Sequence, residues 1–128
     1  NKLHALPEGN IICHQDFHPD NILLTKRGPV VLDWPTARRG HPHADVARTY
    51  LLLKVAAPLP GTARRWLLET GRGLFRSLYL QAYRHSHDIA QEELEVWLPI
   101  MAAVRLVENV PGEEVQLMSI INTYLRSS

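Results

Sequence analysis

The chain has 128 residues, one domain by length, with 45% hydrophobic and 21% charged residues, which excludes a disordered chain. A net charge of +1 leaves no general electrostatic footprint for nucleic acid, and the single Cys13 excludes an internal disulfide. No apolar run approaches the roughly 20 residues of a membrane span, and no amino-terminal segment reads as a secretory signal. With one cysteine in a chain that fits a reducing compartment, these features predict a cytoplasmic protein without a nucleic-acid or membrane partner.

Residues 10–14 form a short apolar run that suits a buried strand entering a loop. A polar loop, Gln15 to Asp20, follows. Residues 21–25 and 30–32 are β-rich runs separated by Lys26-Arg27-Gly28-Pro29, and they predict a hairpin turning at Gly-Pro. Pro35 closes the second strand, and residues 36–43 read as loop.

From there the periodicity is helical. Residues 44–56 predict a helix ended by Pro58, Pro60 and Gly61. Residues 62–85 place Trp66, Leu67, Leu74, Phe75, Leu78, Tyr79 and Tyr83 on one apolar face of a long helix weakened at Gly71 and Gly73. Asp88 and Gln91 resemble a capping box opening a helix over about 89–110, which Pro99 should kink or break. Pro111-Gly112 precedes a last helix at about 113–126. The expected fold is α+β and mainly helical: a small β-hairpin followed by about four helices.

Charge is uneven. Basic residues dominate 1–85 and acidic ones 86–128. The first part suits an anion and the second a cation; ordinary solvated helix faces account for the same pattern.

The polar cluster is His14-Gln15-Asp16-Phe17-His18-Pro19-Asp20-Asn21, with Asp33 ending the hairpin. Asp16, Asn21 and Asp33 are oxygen donors, two on one loop and the third across a hairpin that can fold it back beside them. Mg²⁺ takes oxygen ligands and often uses one or two carboxylates plus substrate phosphates. A carboxylate left free of metal can accept the proton of an attacking hydroxyl. The same residues are also common in turns and caps.

His14 to Leu24 resembles the catalytic loop of the aminoglycoside phosphotransferase and choline kinase superfamily, His-Gly-Asp-Leu-His-Pro-Gly-Asn followed by apolar residues. Val31-Leu32-Asp33-Trp34 resembles its metal-binding Ile-Asp-Trp segment, and Gly40 to Ala47 resembles its Gly-Asp-Pro-x-x-Asp-Leu-Ala segment. The resemblance implies a Mg²⁺-dependent transfer of the γ-phosphate of ATP or GTP to a hydroxyl of a small molecule such as an aminoglycoside. It implies Asp16 as catalytic base, Asn21 and Asp33 as metal ligands, and His14 as holder of the loop. His18 falls two residues beyond the base, near the transferred phosphate or in a structural role. Asp45 is expected to cap its helix and brace the loop. Gln15, His41 and Pro35 depart from the family pattern.

The resemblance covers only the carboxy-terminal lobe of a protein-kinase-like fold. Residues 1–128 therefore read as that lobe without the amino-terminal nucleotide-binding lobe, inactive alone. Apolar side chains near Ile11, Ile12 and Trp34 would be exposed, seeking the missing lobe or a second copy in a homodimer. Two other readings compete. One is a zinc site drawn from Cys13, His14, His18, His41 and His43, whose spacing matches neither a paired-Cys pattern nor His-Glu-x-x-His. The other is a non-catalytic helical interaction module or degenerate kinase relic.

Overall fold

The computed structural model describes residues 6–55, 65–87 and 90–127. In chain order these form β1 (Ile11–Cys13), a 3-10 turn (Pro19–Asn21), β2 (Ile22–Thr25), β3 (Gly28–Val31) and β4 (Arg38–Gly40). Four helices follow: α1 (Pro42–Val55), α2 (Arg65–Ser86), α3 (Gln91–Val107) and α4 (Glu114–Ser127). The protein is α+β and mainly helical.

β2 and β3 pair antiparallel, with Ile22 opposite Val31 and Thr25 opposite Gly28. The turn is Lys26-Arg27, not the expected Gly-Pro. Gly28 closes it at φ +113°, where a side chain would be strained. The Thr25 hydroxyl donates to the Gly28 carbonyl at 2.7 Å and accepts the Arg27 N–H at 3.1 Å. Pro29 sits inside β3 opposite Leu24. This is tolerated because the sheet has two strands, so β3 owes ladder bonds on one side only.

A second two-stranded sheet pairs β1 with β4, Ile11 opposite Gly40 and Cys13 opposite Arg38. β4 falls in the segment 36–43 expected to be loop, because Arg-Arg-Gly carries no strand propensity. The pairing is imposed by tertiary packing. A side chain at Gly40 would start 3.3 Å from Cys13 Sγ, so a bare backbone lets the strands close over the buried thiol.

α1 is the axis of the core. Val46, Ala47, Leu51, Leu52, Leu53 and Val55 are all buried, so the helix is covered around most of its circumference. α2, α3 and β1 pack on it, and α4 packs on α3. Leu94, Met101 and Ala102 of α3 and Leu117 of α4 complete the cluster. α3 runs through Pro99 without the break that was one of the two expected outcomes. Proline removes one intrahelical bond and costs about 3 kcal/mol, which the packing of α3 between α1 and α4 offsets.

The apolar stripe of α2 divides. Tyr79, Leu80 and Tyr83 pack on the core, while Trp66, Leu74 and Leu78 stay exposed. The helix is longer than the face of α1 it lies on, so the stripe outruns its partner. The expected Asp88 cap lies outside the described residues, as does the Pro58–Gly61 stop. At that end of α3 Glu93 reaches back instead, accepting the Ala90 N–H at 3.3 Å. Ile11, Ile12 and Trp34 are exposed as expected, Ile12 at 77%.

Candidate active site

The loop between β1 and β2 turns sharply after His14 because Gln15 takes a left-handed conformation, φ +67°. This explains why the related pattern carries glycine there. A side chain in this region costs roughly 1–2 kcal/mol, and here three contacts hold it. The Gln15 backbone N–H donates to Asp45 Oδ1 at 2.7 Å, its side-chain amide donates to the same oxygen at 3.3 Å, and its carbonyl accepts from Arg48 Nε at 3.1 Å.

Asp45 stands in the first turn of α1. Its other oxygen, Oδ2, accepts the His14 backbone N–H at 2.9 Å. Asp45 therefore braces the loop, as expected, but it does not cap its helix. His41 holds the position before α1, where its carbonyl accepts from the Ala44 N–H at 3.1 Å.

His14 is buried and ties the loop to the hairpin. Its Nδ1 accepts the Asp16 N–H at 3.2 Å, and its Nε2 lies 2.8 Å from the Leu32 carbonyl. Those partners assign the proton to Nε2 and make the ring neutral. Trp34 meets the ring edge-on at 4.6 Å, and Phe17 leads on to Tyr79 of α2 at 5.6 Å. Burial pushes the Tyr79 phenol well above its ordinary value, so it serves as a neutral post for the loop.

The loop's functional side chains converge on Asn21. Its amide nitrogen donates to the Asp16 carbonyl at 2.8 Å and to Asp16 Oδ2 at 3.1 Å, and lies 3.2 Å from His18 Nε2. With the nitrogen so used, Asn21 Oδ1 is the amide's remaining acceptor. His18 sits between carboxylates, 3.6 Å from Asp16 Oδ2 and 3.7 Å from Asp20 Oδ2. Asp33 follows Leu32, whose N–H donates to the Asn21 carbonyl at 2.8 Å. The β2–β3 ladder thus continues one step and sets Asp33 diagonally beyond Asn21. Asp33 itself is left-handed, φ +59°, which turns the chain out of the strand. Aspartate tolerates that region better than most residues.

A cleft of about 550 Å³ opens beside Asp16 and His18, floored by Leu52 and Leu53 of α1 and walled by α2. That volume suits one small molecule.

Sequence reasoning missed the ionic brace behind the loop. The buried Arg48 grips Glu108 with Nη2, 2.6 and 2.9 Å from the two carboxylate oxygens. Arg105 bridges onward, at 2.7 Å to Glu108 and at 2.7 and 2.9 Å to the buried Glu113. Hydrogen bonds donated to these carboxylates, Glu113 foremost, raise the Arg105 guanidinium above its already high ordinary value. Gln15 is thereby connected, through Arg48, to the α3–α4 junction. The only hint in the sequence was charge within apolar helices.

Among the described residues no three His, Cys, Asp or Glu side chains gather as a metal cage. The zinc reading fares poorly in detail. Burial, then the Asp45 charge, push the Cys13 thiol up and so disfavour the thiolate that zinc requires. His14 is committed to backbone partners, and His41 stacks on Trp97 at 5.3 Å.

Loop, ladder and cleft meet at Asp16, and comparison with known families says which group of proteins carries them. The phosphotransferase enzyme family (APH) matches residues 2–89, a span holding the loop, both strand pairs, α1 and α2. The chain belongs to the phosphotransferase enzyme family. No curated protein and no solved structure matches it closely enough to add to this.

Proposed function

We propose that the protein transfers the γ-phosphoryl group of ATP or GTP to a small-molecule hydroxyl, with Asp16 as general base. The observation that carries this is the Asn21 amide, which bonds the base through its nitrogen and offers an oxygen on the other side. A hydroxyl seated in the cleft gives its proton to Asp16. Its oxygen bonds to the γ-phosphorus, the bond to the β–γ bridging oxygen breaks, and the nucleoside diphosphate leaves with that electron pair. Phosphoryl transfer depends mainly on positioning and electrostatics, and the Asp45, Arg48 and His14 contacts supply the positioning.

Asn21 Oδ1 and the Asp33 carboxylate are all-oxygen donors, which fits Mg²⁺ and its habit of completing its shell with phosphates and water. When bound, the ion would neutralise phosphate charge and align the triphosphate. His14 holds the loop through its neutral ring. His18 orients Asn21 and faces the side where the transferred phosphate would lie. In this reading residues 1–128 are the carboxy-terminal catalytic lobe. The exposed Ile12 and Trp34 would then meet an amino-terminal lobe that supplies the remaining triphosphate contacts.

The test is acceptor-dependent release of nucleoside diphosphate by the intact protein, titrated with Mg²⁺. Asn21→Ala and Asp33→Ala should each raise the Mg²⁺ needed for half-maximal turnover. An unchanged Mg²⁺ requirement in both variants would contradict the ligand assignment.

A further inference from the structure

The cleft beside Asp16 has a composition that bears on which hydroxyl compound it takes. Leu52 and Leu53 form its floor, and Leu67, Leu68 and Phe75 of α2 form its wall. Leu67 is 54% exposed although it is large and apolar, so it presents its side chain to whatever fills the space. Apolar surface of this kind favours an apolar body, at about 0.8 kcal/mol, or close to fourfold in affinity, for each methylene removed from water.

The charges are placed differently. Among the described residues the cleft's carboxylates are Asp16 and Asp20, both at the loop end and flanking His18. The helical side is lined by Arg72 and by Arg105, whose guanidinium is already bonded to Glu108 and Glu113. A polycation needs carboxylates spread along its length, since an ammonium group against apolar wall without a partner is costly. Here it would meet the leucines and Phe75.

We infer that the acceptor, on the transfer reading above, is an alcohol with an apolar body and no cluster of ammonium groups, lodged against Leu53, Leu67 and Leu68 with its hydroxyl at Asp16. This departs from the polyamino-sugar acceptor suggested by the family resemblance. The acceptor's hydrophobic portion lies toward α2 and its reacting end toward the loop.

The probe is a series of n-alkyl β-glucosides from propyl to octyl, kept below their micelle-forming concentrations. Binding to the full chain is followed by calorimetry, and diphosphate release is followed with the intact protein. Affinity should rise by about fourfold per methylene, while a polyamino sugar should bind more weakly than the octyl compound. Leu67→Glu and Leu68→Glu alter exposed or half-exposed positions, so the chain should fold. Each should weaken the octyl compound by about tenfold and strengthen the polyamino sugar. Affinity independent of alkyl length, or tighter binding of the polyamino sugar to the unaltered chain, would overturn the inference. Diphosphate release with the polyamino sugar alone would overturn it while leaving the transferase reading intact. Length-dependent binding with no diphosphate release from any acceptor would uphold the cleft's preference and sink the transferase reading.

Discussion

Asp45 holds Gln15 twice. Its Oδ1 accepts both the backbone N–H, at 2.7 Å, and the side-chain amide, at 3.3 Å, while its Oδ2 takes the neighbouring His14 N–H at 2.9 Å. A carboxylate in the first turn of α1 thereby fixes the backbone two residues before the base. Hydrogen bonds to charged groups contribute about 1.5–3 kcal/mol each, less where water competes. Asp45→Ala should lower stability by about 2 kcal/mol in urea unfolding and reduce turnover by tenfold or more, since a misplaced loop misplaces Asp16. Wild-type values for both would refute the bracing role.

The left-handed backbone at Gln15 makes a comparison of substitutions informative. Gln15→Gly relieves strain but loosens the unfolded chain and loses one side-chain bond. Those effects nearly cancel, to within about 1 kcal/mol. Gln15→Val places a β-branched residue at φ +67° and should cost at least about 2 kcal/mol. Thermal unfolding of the two variants checks this, and equal stability would rule out the strained turn.

The second support is ionic. Arg48 is buried, with a bidentate grip on Glu108 and a bond to the Gln15 carbonyl. Glu108→Ala leaves that guanidinium inside the protein without its carboxylate. Breaking a fully buried pair costs about 3–5 kcal/mol. Because Glu108 is 37% exposed, water screens part of this, and about 2 kcal/mol is expected. Arg48→Met with Glu108→Leu should recover much of the stability but not the turnover, because nothing then holds the Gln15 carbonyl. Full recovery of turnover would show that the brace has no part in positioning the loop.

The candidate loop was legible in the sequence because its chemistry is local. Asp16 and Asn21 are five residues apart, and the β2–β3 hairpin that carries Asp33 back needs only short-range turn chemistry. The four helices followed from their apolar periodicity. The rest depends on partners far along the chain. β4 pairs with β1 over Arg-Arg-Gly, a run with no strand signal, and Arg48 meets Glu108 sixty residues away. That α3 continues past Pro99 has a related reason, since the packing that carries it through is not written in the residues beside it. The turn at Lys26-Arg27 was misplaced by two residues, because Gly28 serves at its exit rather than at its apex.

A pH dependence follows from His41. Burial lowers its readiness to protonate below the ordinary value near 6.5, with His43 acting in the same direction and Glu93 opposing. Its Nδ1 accepts the His43 N–H at 3.2 Å and its ring stacks on Trp97. The folded protein therefore prefers neutral His41, and the unfolded chain binds the proton more readily. Stability should be fully present above the unfolded value near 6.5 and should fall as the pH drops through that value towards the folded one. His41→Gln should flatten this part of the profile. An unfolding midpoint that stays constant between about pH 7 and pH 5 in the unaltered protein would count against it.

The central claim concerns Asp16, and the most direct measurement is the turnover of Asp16→Asn in the intact protein, set beside its affinity for the nucleoside triphosphate. Asparagine keeps the shape of the side chain but cannot take a proton. Turnover should fall by roughly 10²- to 10⁴-fold while triphosphate affinity stays within about twofold, since the base meets the acceptor rather than the nucleotide. Wild-type turnover in Asp16→Asn would contradict the assignment outright.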